Sequence, residues 1–279
     1  MRAIFVRPRF DEATEYSHLW CSRLMAEVAE LLEGYVDLEG DRATRENVEK
    51  ALIEDPVADL VFYDHGDERG LVAQGGRGYA IDDGNLHLLR GRVVYTLACL
   101  WGSGGGARAY TVYGAKVVVC YVKVFAFTPY DEHLFCRCAN SGYIAYAKGE
   151  RDWARIKKLM IEEFDKAIEE ARDPWTKLLL LWDRDALRVY ADGVDRPEPR
   201  CPLRRLAVRL LGRLGWRLSR RWGLALVLFG AGMGTFVHDR VVEWAVLGCR
   251  IHGLDVGFAL VVIAFILASS EVVELLRRA

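Results

Sequence analysis

Asp59–Gly66 (DLVFYDHG) and Arg92–Gly106 (RVVYTLACLWGSGGG) decide how this chain reads. Each is an apolar, β-branched run that stops at a reactive side chain and passes into glycine-rich turn chemistry. The first ends in His65-Gly66, the second in Ala98-Cys99. A continuous apolar run bounded by turn signals marks a buried parallel strand. In an open α/β sheet, ligands and catalytic groups collect just beyond the carboxyl ends of strands. If the two strands are neighbours, about 4.8 Å apart, one sheet edge presents an imidazole beside a thiol. A cysteine nucleophile and its base require that pairing.

Upstream, Ala3–Val6 is a short apolar run ended by Arg7-Pro8, and Ser17–Leu32 carries Leu19, Trp20, Leu24, Val28, Leu31 and Leu32 at helical spacing. Tyr35–Leu38 reads as a strand. Thr44 caps a helix that Pro56 stops, and Asp59–Tyr63 then delivers His65. This β-α-β-α-β order predicts a parallel sheet covered by helices. Downstream, Leu71–Ile81 reads as a hairpin around Gln74–Gly78, Asp82–Leu89 as a short helix and Val93–Leu97 as the strand ending at Cys99. Ala107–Tyr113 is expected to be helical, Val117–Phe127 a fifth strand, and Pro129–Gly149 a mixture of loop and helix. Trp153–Ala171 is an amphipathic helix. Leu178–Trp182 and Leu187–Tyr190 read as a closing hairpin or edge strand, followed by a proline-containing linker, Asp192–Pro202.

Charge is balanced, with 38 basic and 39 acidic residues, so no overall field points to nucleic acid. Seven cysteines are scattered without a paired framework. Met1–Arg9 turns polar too soon for a secretory signal, and a reducing cytoplasm is expected at the front of the chain. Cys136-Arg137-Cys138 has no second pair at ligand spacing, so neither a metal nor a cofactor is expected. Gly102–Ala107 formally fits the dinucleotide fingerprint GxGxxA. It follows the fourth strand instead of opening the first βαβ unit, and no acid ends a strand about twenty residues on, so nucleotide binding ranks low.

His65-Gly66 and Ala98-Cys99, each closing an apolar strand, resemble the caspase–gingipain superfamily of cysteine peptidases and the related CHAT domains. Asp82, Asp83, Leu86 and Leu89 are similar to the stretch before the cysteine strand in gingipain-like members. Gly114–Val119 (GAKVVV) is similar to the strand that follows, and Trp182–Arg188 resembles a gingipain-type turn without its usual glycine and proline. The likeness covers roughly the first two-thirds of the chain. It implies a caspase-like three-layer α-β-α sandwich acting on protein or peptide substrates, with Cys99 as nucleophile and His65 as base. The Gly66 and Cys99 N–H groups would form the oxyanion hole. Asp64 and Asp67 are the nearby acids available to orient His65. Many members carry an aspartate two residues before the cysteine to recognise a basic P1 side chain. Leu97 stands there, so Asp131 or Glu132 would have to supply that charge. The alternative is a catalytically inactive signalling or scaffold module of the same fold.

The tail changes class. Leu203–Arg221 alternates arginines with leucines and contains no acid, as an amphipathic helix on an anionic membrane does. Trp222–Val237 and Val256–Ser270 then run without charge. Sixteen helical residues reach about 24 Å against a hydrocarbon core of about 30 Å, and flanking Trp and Arg extend that reach. Gly230 and Gly234 form a GxxxG that lets helices pack closely. The expected organisation is a catalytic domain over 1–195, a linker and basic juxtamembrane helix over 196–221, and a transmembrane helical hairpin over 222–279. Arginines outside both ends place the catalytic domain in the cytoplasm, with the lipid bilayer as partner and homo-oligomers formed through the membrane helices.

Overall fold

The computed structural model describes residues 1–197 and, beyond them, an antiparallel pairing of Trp244–Val246 with Cys249–Ile251. Contacts divide the chain into Met1–Pro197 and Glu198–Ala279. The basic segment and both uncharged runs of the tail lie outside the described residues. Among the described residues no helix is long and apolar enough to cross a membrane.

The elements run β1 (Arg2–Arg7), α1 (Glu12–Val28), β2 (Gly34–Glu39), α2 (Arg45–Glu54), β3 (Asp59–Phe62), β4 (Leu71–Val72) and β5 (Tyr79–Ile81). Then come β6 (Val93–Thr96), α3 (Gly105–Thr111), β7 (Val117–Tyr121), α4 (Glu132–Ala147), α5 (Trp153–Glu170), α6 (Pro174–Ala186) and β8 (Leu187–Tyr190). Six strands form one sheet in the order β2-β1-β3-β6-β7-β8. All its pairs are parallel except β7–β8. β4 and β5 make the separate hairpin predicted around Gln74–Gly78.

Strand side chains alternate between two cores. Phe5, Val61, Tyr63, Tyr95 and Val119 pack with Trp20 and Leu24 of α1, Phe135 and Tyr143 of α4 and Phe164 of α5. Ile4, Phe62, Val94 and Val118 pack with Val48 and Leu52 of α2 and Ala109 of α3. The result is a three-layer α/β sandwich with a mostly parallel sheet. Burial on both faces is why β3 and β6 read as unbroken apolar runs. Each buried Phe or Leu contributes about 1.5–3 kcal/mol.

Three elements differ from expectation. β7 stops at Tyr121 instead of reaching Phe127: the Val122 N–H adds one last bond to the β7–β8 ladder, to Ala186 O at 2.9 Å, where α6 ends and the partner strand begins. Phe125 and Phe127 then insert beside Trp20, at ring centroid distances of 6.2 and 5.0 Å. Leu178–Trp182 is helical, part of α6. Asp173 caps that helix by accepting from Thr176 N at 2.7 Å. Pro174 sits in its first turn, where no N–H is needed. The closing hairpin is therefore absent, and β8 alone returns as an antiparallel edge strand. Finally, α1 starts at Glu12, five residues before Ser17, because Asp11 and Thr14 cap each other's backbone.

Candidate functional site

β3 and β6 pair in parallel, Leu60 with Val94, Val61 with Tyr95 and Phe62 with Thr96. Leu97 N–H extends the ladder by donating to Phe62 O at 3.1 Å. Past the paired residues, Gly66, which follows His65, comes against Ala98 and Cys99. The two strand ends are in contact there. A Cβ on Gly66 would fall 2.7 Å from Ala98 Cβ and 3.4 Å from Cys99 O, so only glycine admits this approach. The hairpin braces the His65 side, with Val72 N–H donating to His65 O at 3.0 Å and Gly66 bridging Leu71. Beyond Cys99 the chain turns sharply through Leu100, whose φ of 58° is the left-handed region that ordinary residues avoid. Strain of this kind collects at functional sites.

His65 reaches out of the sheet edge towards the start of α1, where its Nε2 lies 2.8 Å from Asp11 Oδ2. The Phe10 ring packs 5.9 Å from it. A carboxylate only accepts, so Nε2 carries the proton and Nδ1 is left as the basic nitrogen. Burial alone would raise the Asp11 pKa. The Thr14 N–H, the His65 ring and the Thr14 hydroxyl outweigh it and hold the group below its ordinary value. Asp11 is thus a charged partner available to His65⁺.

Cys99 is partly buried. Its Sγ accepts the Phe125 N–H at 3.4 Å, and the thiol faces Phe125 O at 4.0 Å. Burial pushes the thiol pKa up. The Phe125 N–H opposes that shift, while the Asp183 and Asp64 carboxyls add to it. His65 and Cys99 therefore stand on adjacent strand ends with each ring or sulfur bonded to another group.

The acids near this edge divide by role. Asp64 is buried with neither oxygen hydrogen-bonded among the described residues. Burial, with the charge of Asp11 adding, pushes its carboxyl up to about 8. Asp67 turns away from the imidazole, accepting from Tyr79 Oη at 2.7 Å and from the Arg69 and Gly70 N–H groups. The carboxylate that meets His65 is accordingly Asp11, not Asp64 or Asp67. Leu97 is buried in the core shared with α1 and α4. Asp131 precedes α4 without a side-chain capping bond. Glu132 accepts from Trp20 Nε1 at 2.6 Å and from Arg23 at 3.0 Å, so its charge is already matched. The acids that add to the upward shift of the Cys99 thiol are instead Asp64 and Asp183. Asp183, wholly buried on α6, accepts the Ala126 N–H at 3.0 Å through Oδ1, and burial raises its pKa well above the ordinary value.

Two sequence signals mark the missed residues as a cap and an inward position without giving their partners. Asp11 with Thr14 is a helix-start pattern, and Asp183 falls at inward spacing from Thr176 and Leu180 once α6 is read as a helix. The glycines after Cys99 serve packing. A Cβ on Gly104 would fall 1.9 Å from Glu68 O, and that same oxygen takes the Gly105 N–H at 2.9 Å. The Gly105 N–H at the start of α3 is therefore taken by the chain itself. Among the described residues no three His, Cys, Asp or Glu side chains gather to hold a metal.

No protein-family model and no curated protein matches the sequence. A solved complex of the Porphyromonas gingivalis RgpB pro- and mature domains is similar in structure, with a TM-score of 0.49 and 10% identity. The match covers 68% of this chain and 47% of that one, so the chain spans about half the length of that solved protein. At this score the likeness adds nothing to what the strand order itself shows.

Proposed function

We propose that the chain is a caspase/gingipain-like cysteine endopeptidase in which Cys99 attacks the scissile carbonyl. One observation supports this above others: the parallel register and the Gly66 contact that bring His65 and Cys99 to adjoining strand ends. In this reading His65 Nδ1 takes the thiol proton and the thiolate adds to the carbonyl carbon. The Gly66 and Cys99 N–H groups receive the oxyanion. The imidazolium, held by Asp11, then protonates the leaving amine as the C–N bond breaks. Water, activated by the same nitrogen, hydrolyses the acyl-enzyme and frees the thiol.

Profiling a peptide library with wild type, Cys99→Ala and His65→Ala tests this. Cleavage by wild type, lost in both variants, supports the reading. A folded wild type that cleaves nothing and resists peptide electrophiles across varied P1 residues defeats it. A second reading, a non-catalytic signalling module of the same fold, is favoured by one observation: the sulfur bonds the Phe125 backbone while the His65 Nε2 bonds Asp11.

The tail's composition supports a membrane tether, through Leu203–Arg221 and the uncharged runs over 222–237 and 256–270. Carbonate extraction of membranes from expressing cells tests it. Retention of the full chain, with release of a 1–197 truncation, is the expected result.

A further inference from the structure

The segment 122–128 leaves the sheet after β7 and passes over Cys99, and its two edges are fastened differently. Odd-numbered Phe125 and Phe127 point into the aromatic core around Trp20. The even-numbered residues bond, one after another, to α6 and its end. Val122 N–H donates to Ala186 O at 2.9 Å, and Val124 O accepts from Trp182 Nε1 at 2.7 Å. Ala126 N–H donates to Asp183 Oδ1 at 3.0 Å, and the Thr128 hydroxyl meets that of Thr176 at 3.3 Å. Lys123 Nζ stands 4.4 Å over the Trp182 ring, and Lys123 O accepts the Leu100 N–H at 3.1 Å, beside the nucleophile. At the middle of this segment the Phe125 N–H is spent on the Cys99 sulfur.

We infer that residues 122–128 form an autoinhibitory strap over Cys99, latched by Trp182 and Asp183 of α6, which an extended peptide must displace to reach the sulfur. The inference builds on the peptidase reading, since it describes how that nucleophile is kept covered. Physically, the strap is a β-like segment whose ladder partners have been replaced by helix side chains. Between Val124 and Ala126 its backbone is held by single bonds to Trp182, Asp183 and the Cys99 sulfur, so that stretch can shift from the sulfur without breaking the sheet, against the packing of Phe125 on Trp20. Trp182 is 44% exposed and Val124 50% exposed, which places this part of the latch at the surface.

Alkylation of Cys99 by iodoacetamide, followed by peptide mass mapping on the full-length chain, reads the strap without requiring turnover. Cys21, Cys120, Cys136 and Cys138 are buried, and mapping separates them from Cys99. W182F keeps the ring but loses the donor, and should label Cys99 about fivefold faster, the ratio one net hydrogen bond supports. D183A should accelerate labelling by about as much or more. D183N keeps a carbonyl oxygen for the Ala126 N–H and should stay near the wild-type rate. Folded W182F labelling at the wild-type rate overturns the strap, and that variant decides the matter should D183A fail to fold. Faster labelling with no peptide cleaved leaves the strap standing and removes the peptidase. Cleavage through Cys99 with labelling unmoved does the reverse.

Discussion

Asp11 Oδ2 and His65 Nε2 meet at 2.8 Å across a separation of 54 residues, joining the cap of α1 to the end of β3. One carboxylate thereby does two tasks: its other oxygen accepts the Thr14 N–H that starts the helix, at 2.8 Å. Helix formation and imidazole orientation are coupled through this side chain.

Asp11→Asn separates the two tasks. Asparagine caps a helix as well as aspartate does, so the melting temperature should barely move. The imidazolium, however, loses its counter-charge, so turnover should fall on the order of ten- to a hundredfold. Asp11→Ala should lose about 1 kcal/mol of stability in addition. Equal activity in Asp11→Asn and wild type removes Asp11 from the site.

Gly66→Ala tests the strand-end contact. The added methyl would fall 2.7 Å from Ala98 Cβ, with backbone oxygens of Gly70 and Cys99 on its other sides at 3.1 and 3.4 Å. None of these is the free end of a flexible chain, so the β3 and β6 ends must separate. Overpacking of this kind costs about 1–3 kcal/mol. Denaturant unfolding should show that loss, and Cys99-dependent cleavage should vanish even where the variant remains folded.

The buried acids set how stability responds to pH. Burial raises Asp59 to about 7 and Asp64 to about 8, while an unfolded aspartate titrates near about 3.9. The folded state therefore binds more protons than the unfolded one between those values. The contribution is complete below the unfolded pKa and is lost as pH rises through 7 and 8. Melting temperature should fall from pH 5 to pH 9. Asp64→Asn should flatten the upper part of that fall and Asp59→Asn the lower part. Asp11, Asp67 and Asp82 are lowered instead. Their stabilisation disappears only at more acid pH, so a scan begun at pH 5 isolates the raised acids, to which buried Asp183 also belongs. A melting temperature that climbs towards pH 9 contradicts this assignment.

What the sequence disclosed follows from where each residue's partners lie. β3 and β6 were legible because burial on both faces leaves no polar alternation, and α5 because its apolar residues repeat at helical spacing. Val117–Phe127 misled because Phe125 and Phe127 alternate with Val124 and Ala126 as a strand would. The partner of that alternation is α6, and nothing local to 117–127 announces a helix. Leu178–Trp182 misled for the complementary reason: five apolar residues fit either period, and the deciding cap, Asp173 with Pro174, stands just upstream. Asp11 was hidden because its role depends on a residue 54 positions away. Side-chain partnerships across elements are set by the sheet order, which composition and spacing do not encode.

Leu100 offers a test in which two familiar effects oppose each other. Its φ of 58° lies in the left-handed region, where a side chain bearing a Cβ costs roughly 1–2 kcal/mol. Glycine avoids that cost but loses about 0.5–1 kcal/mol through its greater freedom when unfolded. Truncating Leu100 removes the same packing in either variant, apart from one methyl. In an ordinary strand or helix, alanine is therefore the more stable of the two. Here the strain exceeds the entropy, so Leu100→Gly should be more stable than Leu100→Ala by about 0.5–1 kcal/mol in denaturant unfolding. The usual order, with alanine ahead, would mean that the turn after Cys99 is not held in the left-handed conformation. The sharp exit that sets the sulfur at the sheet edge would then need another origin.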